Sequence, residues 1–145
     1  DRYLRADMPD PAIGDWAEPP PNGGKGMAID ADWVNLKGEA LRSCRAGYYG
    51  LINHIDDQIY RLLFDAGSSG AMRNTVVIFT ADHGEMLGDH YLFRKCYPFE
   101  ASARIPMMMF STADLGFKPQ TVADQPVCLE DIMPTVRQLA ACAVR

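Results

Sequence analysis

No apolar stretch approaches the ~20 residues that a helix needs to cross a bilayer, so no membrane span is expected. An excess of basic charge is also missing. With 14 Lys and Arg against 19 Asp and Glu, the net charge is −5, and a nucleic-acid surface, which needs a basic stripe, is not expected. The four cysteines, Cys44, Cys96, Cys128 and Cys142, form no C-x-x-C pair, which argues against a Cys-ligated metal and leaves the redox compartment open. There is no internal repeat and no low-complexity tract. The first residues, D-R-Y-L-R-A-D, carry neither an initiating Met nor the pattern of a signal peptide, so the chain is expected to begin inside a longer protein. An anionic substrate stays open, because one Lys and one metal can reverse a local field.

What is present belongs to a folded domain. Apolar residues make up 48% of the 145, too many for a disordered chain and enough for a core. Residues 1–28 are rich in Pro and Gly, with P-P-P at 19–21 and G-G-K-G at 23–26, and read as an irregular approach segment. From Asp32 to Ala66, Trp33, Leu36, Ala40, Cys44, Tyr48, Ile52, Ile55, Ile59 and Leu62 recur at helical spacing. Asp30 and Asp32 suit the start of that helix and Gly67 its stop. Gly47 and Gly50 either allow close packing or mark a break. Asp131 can cap a last helix running to about Ala140, with Pro134 in its first turn.

The densest chemistry lies between Asn74 and Pro106. Val76 to Phe79 is too continuously apolar for a strand with one wet face, so Asn74–Ala81 reads as a strand buried on both sides of a parallel sheet. It runs out into Asp82-His83-Gly84, and the carboxyl edge of an open α/β sheet is where ligands bind. A 24-residue segment, Ala81 to Arg104, then precedes a second strand at Ile105–Phe110. Connections that long are uncommon in compact domains unless they do something. A long helix, buried strands and a closing helix give an α/β layering.

Taken alone, Asp82-His83-Gly84 fits an Asp capping a turn beside a satisfied His, or two metal ligands that converge because Gly84 lets the backbone turn. Lys95 offers a compact ammonium suited to a sulfate or phosphate oxygen. His90 could line a pocket, donate a proton to a leaving group, or simply bond backbone. Glu100 and Arg104 stand four apart and read as an ion pair bracing the loop, His54 as structural, and Met107-Met108-Met109 as strand core.

The run N-T-V-V-I-F-T-A-D-H-G-E-M-L-G-D-H, followed by Lys95, Glu100 and R-I-P at 104–106, resembles the C-terminal signature of the sulfatase family, within the alkaline-phosphatase-like superfamily. Tyr48-Tyr49-Gly50-Leu51-Ile52 with Ile55-Asp56 and Arg61-Leu62-Leu63 is similar to the family's preceding helix. Val127–Ala140, with D-I-M-P-T at 131–135, is similar to its D-x-x-P-T helix. Three blocks in the right order are more specific than any one pattern. The resemblance implies an incomplete alkaline-phosphatase-like α/β sandwich, with the long helix packed on a largely parallel sheet, and residues 29–145 as the C-terminal part of the catalytic domain. It implies metal binding by Asp82 and His83, and an anion-binding, catalytic Lys at Lys95. His90 matches a His of many bacterial members, without an assigned role. Asp56 and Asp131 match family positions, where the expected jobs are holding a loop and capping a helix.

The cofactors implied are a divalent cation, Ca²⁺ first, with Mn²⁺ or Mg²⁺ as alternatives, and a formylglycine upstream of this chain. Formylglycine matures from the Cys or Ser of C/S-x-P/A-x-R. Cys44 opens C-R-A-G-Y, with Tyr48 where the Arg belongs, and reads as a buried structural thiol on the helix's apolar face. The implied activity is hydrolysis of a small-molecule or glycan sulfate ester, with this chain inactive alone. Phosphonate monoester hydrolases and phosphodiesterases share D-H-G-E-x-L-G-D-H and the Lys, so a phosphorus ester stays open. So does a catalytically inert fragment used for binding or assembly.

Overall fold

A single long helix, α1 (Gly38–Ser68), dominates the chain. It is followed by strand β1 (Val76–Thr80), a short helix α2 (Glu100–Ala103), strand β2 (Met107–Ser111) and helix α3 (Ile132–Cys142). The computed structural model describes residues 2–21, 33–95, 97–112, 116–118 and 120–142, with backbone alone for 141 and 142.

The helix begins later than its periodicity suggests. Trp33 and Val34 are extended, with Trp33 bridged to Leu92 and the Val34 amide donating to Tyr91 O at 2.8 Å. Pairing with a distant loop outweighs local helical preference there, and Val34 becomes one of the two most buried side chains. Gly38, at φ 55°, stands at the turn into α1. Asp30 and Asp32 lie outside the described residues. At the far end, α1 runs through Gly67 and stops beyond it. The amide of Gly70, at φ 79°, donates to Gly67 O at 3.1 Å, a left-handed C-terminal cap two residues past Ser68. Gly47 and Gly50 neither break the helix nor meet a packed neighbour, since a Cβ added at either finds nothing within 4 Å among the described residues.

β1 and β2 form a two-stranded antiparallel ribbon with Val76 opposite Ser111 and Thr80 opposite Met107. This corrects the expectation of a largely parallel sheet for the strands of this chain. Nor is β1 buried on both faces as its apolar run suggested: its residues are half-buried and Phe79 is exposed. An apolar run also says nothing about a neighbour's direction, which here follows from the path of the loop between the strands. α1 does not pack along the ribbon. Phe79, Met108, Met109 and Phe110 stay exposed, as do Leu51, Ile52, Ile55 and Leu62 on α1. Two strands and one helix present more apolar surface than they can cover for one another. β2 starts just after Pro106, which has no amide to donate to a ladder.

α3 is entered through a 3₁₀ turn at Leu129–Asp131. Its capping box has Cys128 at the N-cap, and the Asp131 carboxylate reaches back to the Cys128 amide at 2.9 Å and to its thiol at 3.4 Å. Asp131 is therefore the reciprocal acid of the box rather than the cap residue. The backbone and thiol bonds hold the Asp131 carboxyl below its ordinary pKa. Bonds to Glu130 and Asp131 raise that of the Cys128 thiol.

The buried centre lies between α1, the segment 2–21 and the β1–β2 loop, with Val34, Ala46 and Met86 as its apolar members. Gly84 shows how tightly the loop packs. Its amide donates to Ser102 O at 2.7 Å, and an added Cβ would stand 2.0 Å from Ala101 O. Its φ is not in the left-handed region, so close approach, rather than turning freedom, requires glycine here. Gly84→Ala is expected to lower unfolding stability by about 1–3 kcal/mol in urea titrations. Gly47→Ala is expected to raise it by about 0.5–1 kcal/mol. Equal midpoints for the two variants would show that the Gly84 contact is not maintained in solution.

Candidate metal and anion site

β1 ends at Thr80, and the chain emerges two residues later as Asp82-His83. The Asp82 Oδ1 accepts the His83 backbone amide at 3.0 Å, which fixes the carboxylate. The His83 Nδ1 lies 2.9 Å from Gly84 O. A carbonyl can only accept, so that ring nitrogen carries the proton and Nε2 keeps its lone pair. Nε2 then faces Asp82 Oδ2 at 3.4 Å. Two lone-pair atoms facing one another call for a proton or a cation between them.

The spacing suits a cation. Two donors at right angles on one ion, each about 2.1–2.5 Å from it, stand roughly 3.0–3.5 Å apart. The Asp82 side chain is 84% exposed and that of His83 38%, so both donors are open to an incoming ion. The bond from Nδ1 to a backbone carbonyl is the kind of outer contact that orients ligating histidines. Among the described residues no third His, Cys, Asp or Glu joins them.

Lys95 is exposed on the same loop. The Met86 amide donates to Arg94 O at 2.7 Å, and the Glu85 amide to Ala101 O at 2.9 Å. These bonds tie the strand leaving Asp82 to the residue before Lys95 on one side and to α2 on the other. No hydrogen bond or ion pair joins Lys95 to Asp82 or His83 among the described residues, and its side chain is exposed to solvent.

His90 sits at the loop's tip. Its Nδ1 accepts the Gly14 amide at 3.0 Å, and its own amide donates to Ala12 O at 2.8 Å. The ring lies against Trp16 at 4.8 Å and Phe99 at 5.1 Å between centroids. Of its three readings from sequence, the geometry is that of a His bonded to backbone, docking segment 2–21 on the loop. Glu100 and Arg104 pair at 3.3 Å with both side chains more than four-fifths exposed, a contact worth about 0.3–0.5 kcal/mol. Asp56 and His54 are exposed on α1, and Asp56 holds no loop among the described residues.

Cys44 is half-buried, and burial, followed by the nearby Glu85 carboxylate, pushes its thiol pKa up against a smaller lowering by Arg45. A thiol held protonated is a poor nucleophile. The same burial and the same Glu85 raise Tyr48. Cys96 and the Cys142 side chain lie outside the described residues.

Sequence reading missed two things here. Ser69-Gly70-Ala71-Met72-Arg73 spells S-x-A-x-R, the form of the maturation motif. Its hydroxyl donates to Ala66 O at 3.1 Å at the end of α1. The motif precedes β1 whereas Asp82 follows it, and five strand residues alone span about 16 Å, so Ser69 cannot reach an ester held at Asp82. The other omission is Arg45. Its Nε donates to Leu87 O at 3.1 Å, its Nη1 to Pro9 O, and its Nη2 to Asp89 Oδ1 at 3.0 Å. Asp89 Oδ1 also accepts the Ala12 amide at 3.1 Å. Among the described residues, four of the five non-glycine residues with positive φ lie in this loop: Leu87, His90, Tyr91 and Arg94. Each such conformation costs on the order of 1–3 kcal/mol and persists only where surroundings over-determine it. An i,i+4 helix pattern cannot announce an Arg whose partners are 36 to 44 residues away.

The sulfatase family model matches residues 15–142. An arylsulfatase of Clostridium perfringens (strain 13 / Type A) is 39% identical over 145 residues, covering 99% of this chain and 30% of that protein. The multifunctional alkaline phosphatase superfamily protein PehA of Trinickia caryophylli is 41% identical over 113 residues, 78% of this chain and 20% of its own. A choline-sulfatase of Rhizobium meliloti (strain 1021) is 31% identical over 118 residues, 81% of this chain and 22% of its own. The chain thus spans less than a third of the length of these relatives. With the match extending over most of its residues, this chain belongs to the sulfatase family of sulfuric ester hydrolases.

Proposed function

We propose that the protein containing this chain hydrolyses sulfate esters, with Asp82 and His83 holding a divalent cation and Lys95 meeting the anionic ester oxygens. The observation that carries this reading is the lone pair of His83 Nε2 facing Asp82 Oδ2 at 3.4 Å, at the exit from β1. Once bound, the cation supplies Lewis acidity and charge neutralisation at the anion. Oxygen-rich ligation favours Ca²⁺, while the imidazole also admits Mn²⁺. The Gly84 carbonyl keeps His83 in the tautomer that can ligate, and the His83 amide keeps one Asp82 oxygen turned away from the ion. Lys95 contributes a fixed positive charge that stabilises charge growing on the ester as the leaving group departs. The nucleophile, a formylglycine in this family, is assigned to neither Cys44 nor Ser69, and is placed elsewhere in the full-length protein. The substrate is an aryl or alkyl sulfate ester, in keeping with the arylsulfatase and choline-sulfatase to which the chain is similar.

A second reading, hydrolysis of a phosphorus ester, is favoured by the 41% identity to a protein described as multifunctional within the alkaline phosphatase superfamily. A cation and a Lys stabilise a phosphoryl anion as readily as a sulfuryl one.

In the full-length protein, Lys95→Ala is expected to lower kcat/KM for p-nitrophenyl sulfate by about 10²–10³ with an unchanged melting temperature. Wild-type turnover would remove Lys95 from the site, and loss through unfolding alone would make it structural. Asp82→Ala is expected to cost more, and to abolish the dependence of activity on added Ca²⁺ or Mn²⁺.

Cys44→Ser and Ser69→Ala are each expected to keep wild-type turnover. Inactivity of either folded variant would return the nucleophile to this chain. Comparing p-nitrophenyl sulfate with a matched phosphonate monoester decides between the two readings, since the larger kcat/KM identifies the ester that the complete pocket fits.

A further inference from the structure

We infer that Arg45 is the positioning residue that holds the Asp82–Lys95 loop in the shape its ligands require. This rests on the metal and anion reading above and adds to it a residue outside the ligand set.

Arg45 lies on α1 and touches neither Asp82, His83 nor Lys95. Its guanidinium is spent entirely on the loop tip and on the segment that covers it. Nε binds Leu87 O, Nη2 binds Asp89 Oδ1 in a 3.0 Å ion pair, and Nη1 binds Pro9 O. The side chains of the pair are 8% and 21% exposed, so both charges are largely withdrawn from water and lean on each other. Leu87 is one of the left-handed residues, and its carbonyl is an atom that Arg45 grips. The arms of the loop then follow from the tip. Gly88 N donates to Leu92 O at 2.8 Å and Met86 N to Arg94 O at 2.7 Å, which sets Lys95 relative to the arm leading back to His83 and Asp82. The fork spreads donors on three nitrogens over three acceptors on two segments, where an ammonium would have to draw all three acceptors to one nitrogen.

The test uses the full-length protein with Arg45→Lys and Asp89→Asn, and Arg61→Ala as a control. Among the described residues Arg61 pairs only with exposed Asp57 on the same helix. Hydrogen exchange read by mass spectrometry over residues 84–94 should be at least about tenfold faster in Arg45→Lys and Asp89→Asn, with α1 and β1 unchanged. Mn²⁺ binding, followed by the loss of its free EPR signal, should weaken by about 10–100-fold in the same variants and stay wild-type in Arg61→Ala. Asp89→Asn keeps the side-chain shape and its acceptor oxygen, so it carries the test if Arg45→Lys does not fold.

Unchanged loop exchange overturns the inference. So does faster exchange with undiminished Mn²⁺ affinity, which would leave Arg45 a stabilising contact only. Loss of affinity in Asp82→Ala but not in the Arg45 and Asp89 variants overturns the positioning role alone. Unchanged affinity in Asp82→Ala overturns the metal assignment beneath it as well.

Discussion

A guanidinium sealed between a helix and a strained loop is the constraint on which the ordering of this chain turns. Arg45 has little water to solvate it, so its charge depends on Asp89, Leu87 and Pro9 staying where they are. That requirement joins three stretches distant in sequence: the middle of α1, the loop after β1, and the irregular N-terminal segment. Apolar packing adds to it through Met86, within that loop, and Val34, bonded to it through Tyr91 O, each 1% exposed. The fold is thus anchored at a polar hub with a small apolar seam, rather than around a broad core.

The loop inherits its chemistry from that arrangement. Asp82 and His83 are adjacent in sequence, yet adjacency alone does not make a chelate. One carboxylate oxygen is occupied by the next amide and one ring nitrogen by the following carbonyl, and only then do the remaining oxygen and nitrogen face each other. Gly84 makes this possible by letting the backbone press against Ala101 O where any side chain would collide. The Asp82 carboxylate is open to solvent while Gly84, two residues on, is packed against Ala101 O.

Residues 2–21 show how a segment without regular structure can still be fixed. They are tied by Trp16 stacked on Phe99 at 5.1 Å, Gly14 on His90, and Glu18 O accepting the Trp33 indole at 3.2 Å. Proline and glycine exclude helix and strand from such a stretch, but they leave its carbonyls free for distant donors. The aromatic stack and these bonds make it a strap across the loop that follows β1.

Much of this was legible in the residues themselves. Helical spacing located most of α1, the apolar run located β1, and the D-H-G run with its downstream Lys pointed to the family. These signals are local, and depend on side-chain type and spacing over a few turns or a few strand residues. Tertiary structure alone decided the rest. It pulled Trp33 and Val34 out of the helix into a pairing with Tyr91 and Leu92, set β2 antiparallel to β1, and bound His90 to backbone. It also turned an unremarked Arg on a helix into the hub of the molecule. Each of these depends on which residues meet across 27 or more positions of chain, and no period or motif in a sequence encodes that distance.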